Sequence, residues 1–216
     1  MRYSNLVNIS GEDIFQRNGH KKVIAAGQMI AEKGDAASSV GFIAKGQARA
    51  FCLNASGDEI TLFYIASGNM ICSESLVSNP SIVVSVDAFS DVELYTMDAD
   101  AFLGAWFEKG YSVKELLSHF VRRVCLLSDY LCCSHFTKNE ERLAYFLHSA
   151  YLDAPGEIAY THEQISAVTG MSTVSVDRIL KKLEAEQIIA CKYRRIEVLD
   201  LQRLESDFHS LGYLLD

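Results

Sequence analysis

Proline is nearly absent from this chain, with 2 residues in 216. Hydrophobic residues make up 49% and charged residues 22%, so a proline-rich linker or an unfolded polar tract is excluded and a packed core is expected. Long apolar runs are missing too. None approaches the ~20 residues a bilayer-spanning helix needs, so no membrane association is expected. The opening Met1-Arg2-Tyr3-Ser4-Asn5 has no basic segment followed by an apolar stretch, which gives no secretory leader and an expected cytoplasmic location. The 6 Cys are then expected to stay reduced. There is no Cys-x-x-Cys, no Gly-x-Ser-x-Gly, no phosphate-loop lysine and no His-Glu-x-x-His. Hydrolase, nucleotide-hydrolysing and zinc-protease chemistries thereby lose their residues, and no catalytic group is expected.

Positive charge is scarce overall but not everywhere. The net charge is −8. Residues 178–196 nevertheless hold Arg178, Lys181, Lys182, Lys192, Arg194 and Arg195 against Glu184 and Glu186. A basic stretch in an acidic chain points to a local anionic partner rather than a general one.

Residues 21–102 read as short strands punctuated by glycine, at Gly27, Gly34, Gly46, Gly57 and Gly68. Alternation at residues 40–44, 60–64 and 84–88 gives each strand one core face. An antiparallel sandwich or barrel is expected, with no long helix before Asp98. The pattern then changes. Leu117, Phe120, Val124, Leu127, Leu131 and Ser134 repeat at 3-4-3-4-3, with Arg122, Arg123 and Asp129 off that seam. Such a seam suits either a helix lying on its own sheet or a parallel two-helix dimer interface. A polar break at residues 134–139 marks the expected hinge, followed by a helix over 140–152 that Asp153-Ala154-Pro155-Gly156 would end.

Thr161-His162-Glu163-Gln164 is a capping box, and Gly170 supplies a left-handed exit from the short helix it opens. Ser172 caps a second helix over 173–185 that buries Val176, Ile179, Leu180 and Leu183. Helix, glycine turn, helix is the helix-turn-helix unit, whose second helix enters the major groove of duplex DNA. Its outward residues are Thr173, Val174, Ser175, Asp177, Arg178, Lys181 and Lys182. Arg178 suits guanine O6 and N7, and Val174 suits a thymine methyl. Thr161, His162, Ser172 and Ser175 suit phosphate oxygens, Lys181 and Lys182 add backbone attraction, and Asp177 is expected to point aside. Residues 188–199 then read as a hairpin, a wing with Arg194 and Arg195 at its tip against a neighbouring phosphate. The competing reading is a ligand-binding or protein-docking dimer without DNA.

A glycine-punctuated β-roll, a long helix and a winged helix-turn-helix, in that order, resemble the cyclic-AMP receptor / fumarate-nitrate regulator superfamily over about residues 15–200. Gly34-Asp35, Gly46, Gly57, Gly68-Asn69, Ser73-Glu74, Phe102, Arg122-Arg123 and residues 165–180 carry the likeness. The resemblance implies an α+β fold. It comprises a cyclic-nucleotide-binding-like, cupin-like β-roll over 1–110, a dimerisation helix and hinge over 111–137, and a winged helix-turn-helix over 138–216. It implies a homodimer joined along Leu117, Phe120, Val124, Leu127 and Leu131, an inverted-repeat operator, and a small-molecule effector in the β-roll. RNA polymerase is implied as a partner if the protein is an activator. It also puts Arg178 at the family's guanine-reading arginine, while Thr173 and Val174 stand where the cyclic-AMP receptor has arginine and glutamate.

In cyclic-nucleotide members an Arg-Ser/Thr pair holds the phosphate; those places fall here on Ile82 and Val83, and Ser73 replaces a glycine beside Glu74. Cyclic AMP is therefore not the expected effector, because a buried phosphate would lose its charge-assisted hydrogen bonds. The expected pocket residues are Phe63, Ile71, Glu74, Ser75, Val83, Ser85, Leu127 and Tyr130. No Cys precedes Cys52, which removes the iron–sulfur cluster of the oxygen sensors. Cys72 stands where the carbon-monoxide sensors carry a haem thiolate, but Glu74 replaces the expected histidine and no proline follows Met1. No cofactor is expected, with a haem or redox sensor as the alternative. Cys125, Cys132, Cys133, His135 and His119 suggest soft-metal ligation or a redox pair. Adjacent Cys132 and Cys133 face different ways, however, so buried helix cysteines and no metal are expected.

Overall fold

The computed structural model describes residues 11–77, 81–153, 156 and 158–208. They form two units, 11–123 and 124–208. In the first, a short helix α1 (Glu12–Asn18) precedes eight strands: β1 (His20–Ile24), β2 (Met29–Ala31), β3 (Ser39–Lys45), β4 (Gln47–Leu53), β5 (Glu59–Ala66), β6 (Asn69–Ile71), β7 (Ser85–Ala88) and β8 (Val92–Asp98). They pair antiparallel into two four-stranded sheets, ordered β1-β8-β3-β6 and β2-β7-β4-β5. The expected β-roll is there. Consecutive strands repeatedly change sheet, so tight corners are needed. At the β3–β4 corner Gly46 has φ 86°, and a Cβ there would stand 2.1 Å from the Asp91 carbonyl oxygen. Only glycine fits both the angle and the space.

Helix α2 (Ala99–Glu108) follows β8, capped by Asp98, whose carboxylate accepts from the Ala101 N–H at 3.0 Å. With α1 it closes one side of the roll. Phe15 stacks between Phe42 and Phe102 at centroid distances of 5.3 and 5.0 Å, and Trp106 packs on Phe102 at 5.6 Å. Burial of each such phenylalanine contributes roughly 3 kcal/mol. Leu116, on α3 (Val113–His135), joins the same cluster. Two turns later, the Arg123 guanidinium donates to the Met70 carbonyl of β6 at 2.9 Å. The division between the two units falls inside α3 after Arg123.

The second unit continues α3 and adds α4 (Asn139–Asp153), α5 (His162–Thr169), α6 (Thr173–Ala185), the hairpin β9 (Ile189–Lys192) and β10 (Arg195–Val198), and α7 (Leu201–Ser206). Ile158 bridges Ile196 and extends the hairpin by one edge. Arg142 donates to the Phe136 carbonyl at 2.6 Å and to the Thr169 carbonyl at 3.3 Å, tying the polar break to the end of α5. The core comprises Leu143, Phe146 and Leu147 of α4, Ile165 of α5, and Val176, Ile179, Leu180 and Leu183 of α6. Ala154 and Pro155, read as ending the helix before them, lie outside the described residues. Among the described residues no helix is long and apolar enough to cross a membrane.

Candidate nucleic-acid interface and sensor cavity

Local chemistry builds the two-helix unit as its sequence requires. The Thr161 hydroxyl accepts from the Gln164 N–H at 3.2 Å, and the Gln164 side chain accepts from the Thr161 N–H at 2.9 Å. Gly170 takes φ 68°. Ser172 then accepts from the Ser175 N–H at 3.2 Å and opens α6. The four apolar residues of α6 are buried, and that alone turns Thr173, Val174, Arg178, Lys181 and Lys182 outward, with Ser175 partly so.

Three of the charges on this face are already engaged. Asp177 pairs with Lys181 at 2.7 Å and lies 3.6 Å from the His162 ring, so it is turned along the helix and toward α5. The Lys181 ammonium, with burial opposing it, holds the Asp177 carboxyl below its ordinary value. Arg178 donates to Glu140 of α4 at 3.1 Å. Thr173 shares a long 3.4 Å contact with Ser166. At the wing tip Arg194 takes φ 56° and lies 5.4 Å over the Tyr193 ring. The hairpin is anchored to α6 by the Cys191 N–H, which donates to Glu184 at 2.8 Å. Val174 and Tyr193 are 79% and 86% exposed, the highest values among the exposed large hydrophobic side chains described. Apolar groups held out in water on a basic surface suit base and sugar edges.

On α3, Leu117, Val124, Leu127 and Leu131 are all between 46% and 63% exposed, and Phe120 is half-buried. Val121 is open as well. Of the two readings of the seam, a helix pressed on its own sheet along this row is the one the exposure disfavours.

The β-roll encloses a small cavity with room for about one water molecule. Apolar walls come from Ala50, Phe63, Ile65, Ile71, Ile82, Val84 and Val86; the polar lining is Cys72, Glu74 and Arg123. Phe63, Ile71 and Glu74 were expected there. Val83 and Ser85 are not in the lining, because residues 82, 84 and 86 alternate inward and their neighbours point elsewhere. Val83 is exposed, and the Ser85 hydroxyl accepts from the Lys33 N–H at 3.1 Å. Ser75 bonds the Cys72 carbonyl at 2.8 Å, and Leu127 and Tyr130 belong to the second unit.

Two buried atoms in the cavity have no hydrogen-bond partner, Glu74 Oε2 and Arg123 Nε. Burial lowers the Arg123 pKa, opposed by the charge of Glu74, yet no ion pair joins the two. Cys72 has φ 54°, a strained angle for a side-chain-bearing residue, and burial pushes its thiol up to about 11. Arg123 is the site residue that sequence pattern missed as a pocket group. Its signal was a charge set just off an apolar seam. Cys133 is buried and its thiol is pushed up to about 12 by burial; Cys125 is exposed, and His135 bonds the Leu131 carbonyl at 2.8 Å. Among the described residues no group of three His, Cys, Asp or Glu is arranged to hold a metal.

Two family models match the chain: the cyclic nucleotide-binding domain over residues 21–108 and the Crp-like helix-turn-helix domain over 141–206. The chain belongs to the CRP/FNR family of transcriptional regulators. Members bind DNA through the helix-turn-helix and dimerise; as regulators of transcription they are not enzymes. The transcriptional regulator LdrP of Thermus thermophilus is 26% identical over 86% of this chain and 95% of its own. The cyclic AMP receptor protein of the same species is 24% identical over 86% of each. A CooA variant from Carboxydothermus hydrogenoformans has the same fold, with a TM-score of 0.76 at 16% identity over 94% of this chain and 98% of that one.

Proposed function

We propose that this CRP/FNR-family regulator binds an inverted-repeat operator as a homodimer, joined along Leu117, Phe120, Val124, Leu127 and Leu131 of α3. Recognition helix α6 enters the major groove. Arg178 reads guanine, Val174 packs on a thymine methyl, and Thr161, His162, Ser172, Thr173, Ser175, Lys181, Lys182 and Arg194 face phosphates. Half-sites then lie one helical turn apart, ~10–11 bp between centres. The carrying observation is that α6 buries Val176, Ile179, Leu180 and Leu183 and leaves Val174 and Arg178 in solvent.

The effector enters the β-roll cavity and meets Glu74 and Arg123, the two groups short of partners there. Cyclic AMP, named for one relative, does not fit this reading. Its phosphate would face Ile82, with Val83 turned to solvent, and neither supplies a donor. RNA polymerase is a partner if the bound protein activates.

Binding to heparin and to duplex DNA, measured against salt, tests the core of this reading. Affinity should fall steeply as salt rises. A protein that docks only protein or ligand would show no retention on either. A native mass spectrum reads the dimer, and any small molecule carried through purification, in one measurement.

A further inference from the structure

The reading of Arg178 as the guanine contact leaves open how so long a side chain is aimed. Arg178 is two-thirds exposed on α6, yet its guanidinium is not free: Nη2 donates to Glu140 Oε1 at 3.1 Å. Glu140 is the second residue of α4, and its carboxyl is itself held. Its own backbone N–H lowers its pKa most; burial opposes this, and the Arg178 hydrogen bond and the charges of Arg178 and Lys182 add to the lowering. A carboxylate fixed to one helix thus grips one nitrogen of the guanidinium on another.

We infer that Glu140 is a positioning residue that sets the plane of Arg178 for base reading. A guanidinium carries five N–H donors on a rigid fork, and guanine needs two of them from one edge. Glu140 engages one Nη2 hydrogen and leaves a complete two-donor edge. Arg178 therefore does not have to release Glu140 to read a base. Fixing the plane beforehand removes part of the ordering cost that a free arginine bears on binding. It also makes misfitting bases worse, since a fixed fork cannot swing aside. The same carboxylate, close to where phosphates lie, opposes non-specific binding. Its two effects are therefore opposite in sign: Glu140 should raise discrimination and lower general DNA affinity.

The inference rests on the base-reading role of Arg178, and the test separates the two. Full-length wild-type protein first selects its site from a random duplex library. Affinity by fluorescence anisotropy, at one fixed salt, is then measured for three kinds of duplex. These are the selected one, the same duplex with the selected G·C pairs changed singly to A·T, and an unselected duplex. The proteins are wild type, Glu140→Gln, Glu140→Asp, Arg178→Ala and the Glu140→Gln/Arg178→Ala double variant.

Arg178→Ala identifies its own base pair as the one whose preference disappears. At that pair Glu140→Gln should lower G·C over A·T discrimination by about two- to fivefold per half-site, the range expected for an exposed ion pair. Its affinity for the unselected duplex should rise. Glu140→Asp keeps the charge but shortens the reach, so discrimination should fall without that rise. The double variant should discriminate no worse than Arg178→Ala alone, because the two residues act through one contact.

Unchanged discrimination in Glu140→Gln, with Arg178→Ala still blind to its pair, would leave Glu140 as an ordinary surface charge and overturn the inference. Increased discrimination would make Glu140 a competitor for Arg178, which also overturns it. Should Arg178→Ala keep every preference, the base-reading role itself fails, and the positioning role with it.

Discussion

Glu74 and Arg123 lie inside the β-roll with hydrogen-bonding atoms left unpaired, whereas Arg178, Asp177 and Lys181 stand in solvent on α6 with their partners already made. The difference follows from where water is. An exposed ion pair is weak, so a phosphate or base edge can replace or join its partners at little cost. A buried polar atom with no partner is expensive, and whatever satisfies it is rewarded in full. A reading head can therefore sample many duplexes loosely and pick among them by fit. A sensor cavity is built to respond to one small occupant. The single water-sized space beside Glu74 and Arg123 is consistent with a cavity that must open further to admit an effector.

The sharpest way to break this contrast is to remove the buried cation. Arg123→Met loses the bond to the Met70 carbonyl and leaves Glu74 with no cation in a low-dielectric site. Stability in urea should drop by about 1–3 kcal/mol, the cost of leaving a buried acceptor unpaired. Converting both, Glu74→Leu with Arg123→Met, should recover most of that loss, since apolar pairs of similar volume replace buried charges well. A single variant as stable as wild type would mean that water reaches both groups.

On the reading head the balance reverses, with binding affected and folding spared. Arg178→Ala should weaken binding to the selected operator by ~1–3 kcal/mol. Its unfolding free energy in urea should stay within about 0.5 kcal/mol of wild type, as for other surface changes. A large stability loss would put Arg178 among the structural residues instead. The caps of the same unit lie between these extremes. Thr161→Ala removes the acceptor for the Gln164 N–H and should cost ~1 kcal/mol of stability. Thr161→Ser should restore it.

How legible each region was in the sequence follows the same division. The reading head is made of local devices. A capping box, a glycine turn and an amphipathic helix each act within a few residues, and Thr161, Gly170, Ser172 and the buried row of α6 could be read directly. The cavity was harder because residues 82–86 run Ile-Val-Val-Ser-Val. Both parities are apolar or small, so alternation gives no phase. The inward set could as well be 83 and 85, the pair that the sequence alone favours. Arg123 and Glu140 were not read as site residues for a different reason. Each acts through a partner 38 or more residues away, Met70 and Arg178 respectively, and pairing over such distances leaves no periodic trace.

The smallest expected effect concerns pH. The Glu140 carboxyl lies below its ordinary value of 4.5 in the folded chain, first through its own backbone N–H and then through Arg178, with Lys182 also facing it. A depressed carboxyl contributes stability that is fully present above the unfolded value and is lost as pH falls through the folded one. Glu140→Gln cannot titrate. The melting-temperature difference between wild type and Glu140→Gln should therefore be constant from pH 7 down to about 5 and shrink toward zero below 4.5. Because the pair is exposed, added salt should shrink the same difference at pH 7. A difference that instead grew on acidification would require a raised carboxyl. That would make Glu140 a desolvated group rather than an exposed, paired one, and the contrast between the two regions would no longer hold.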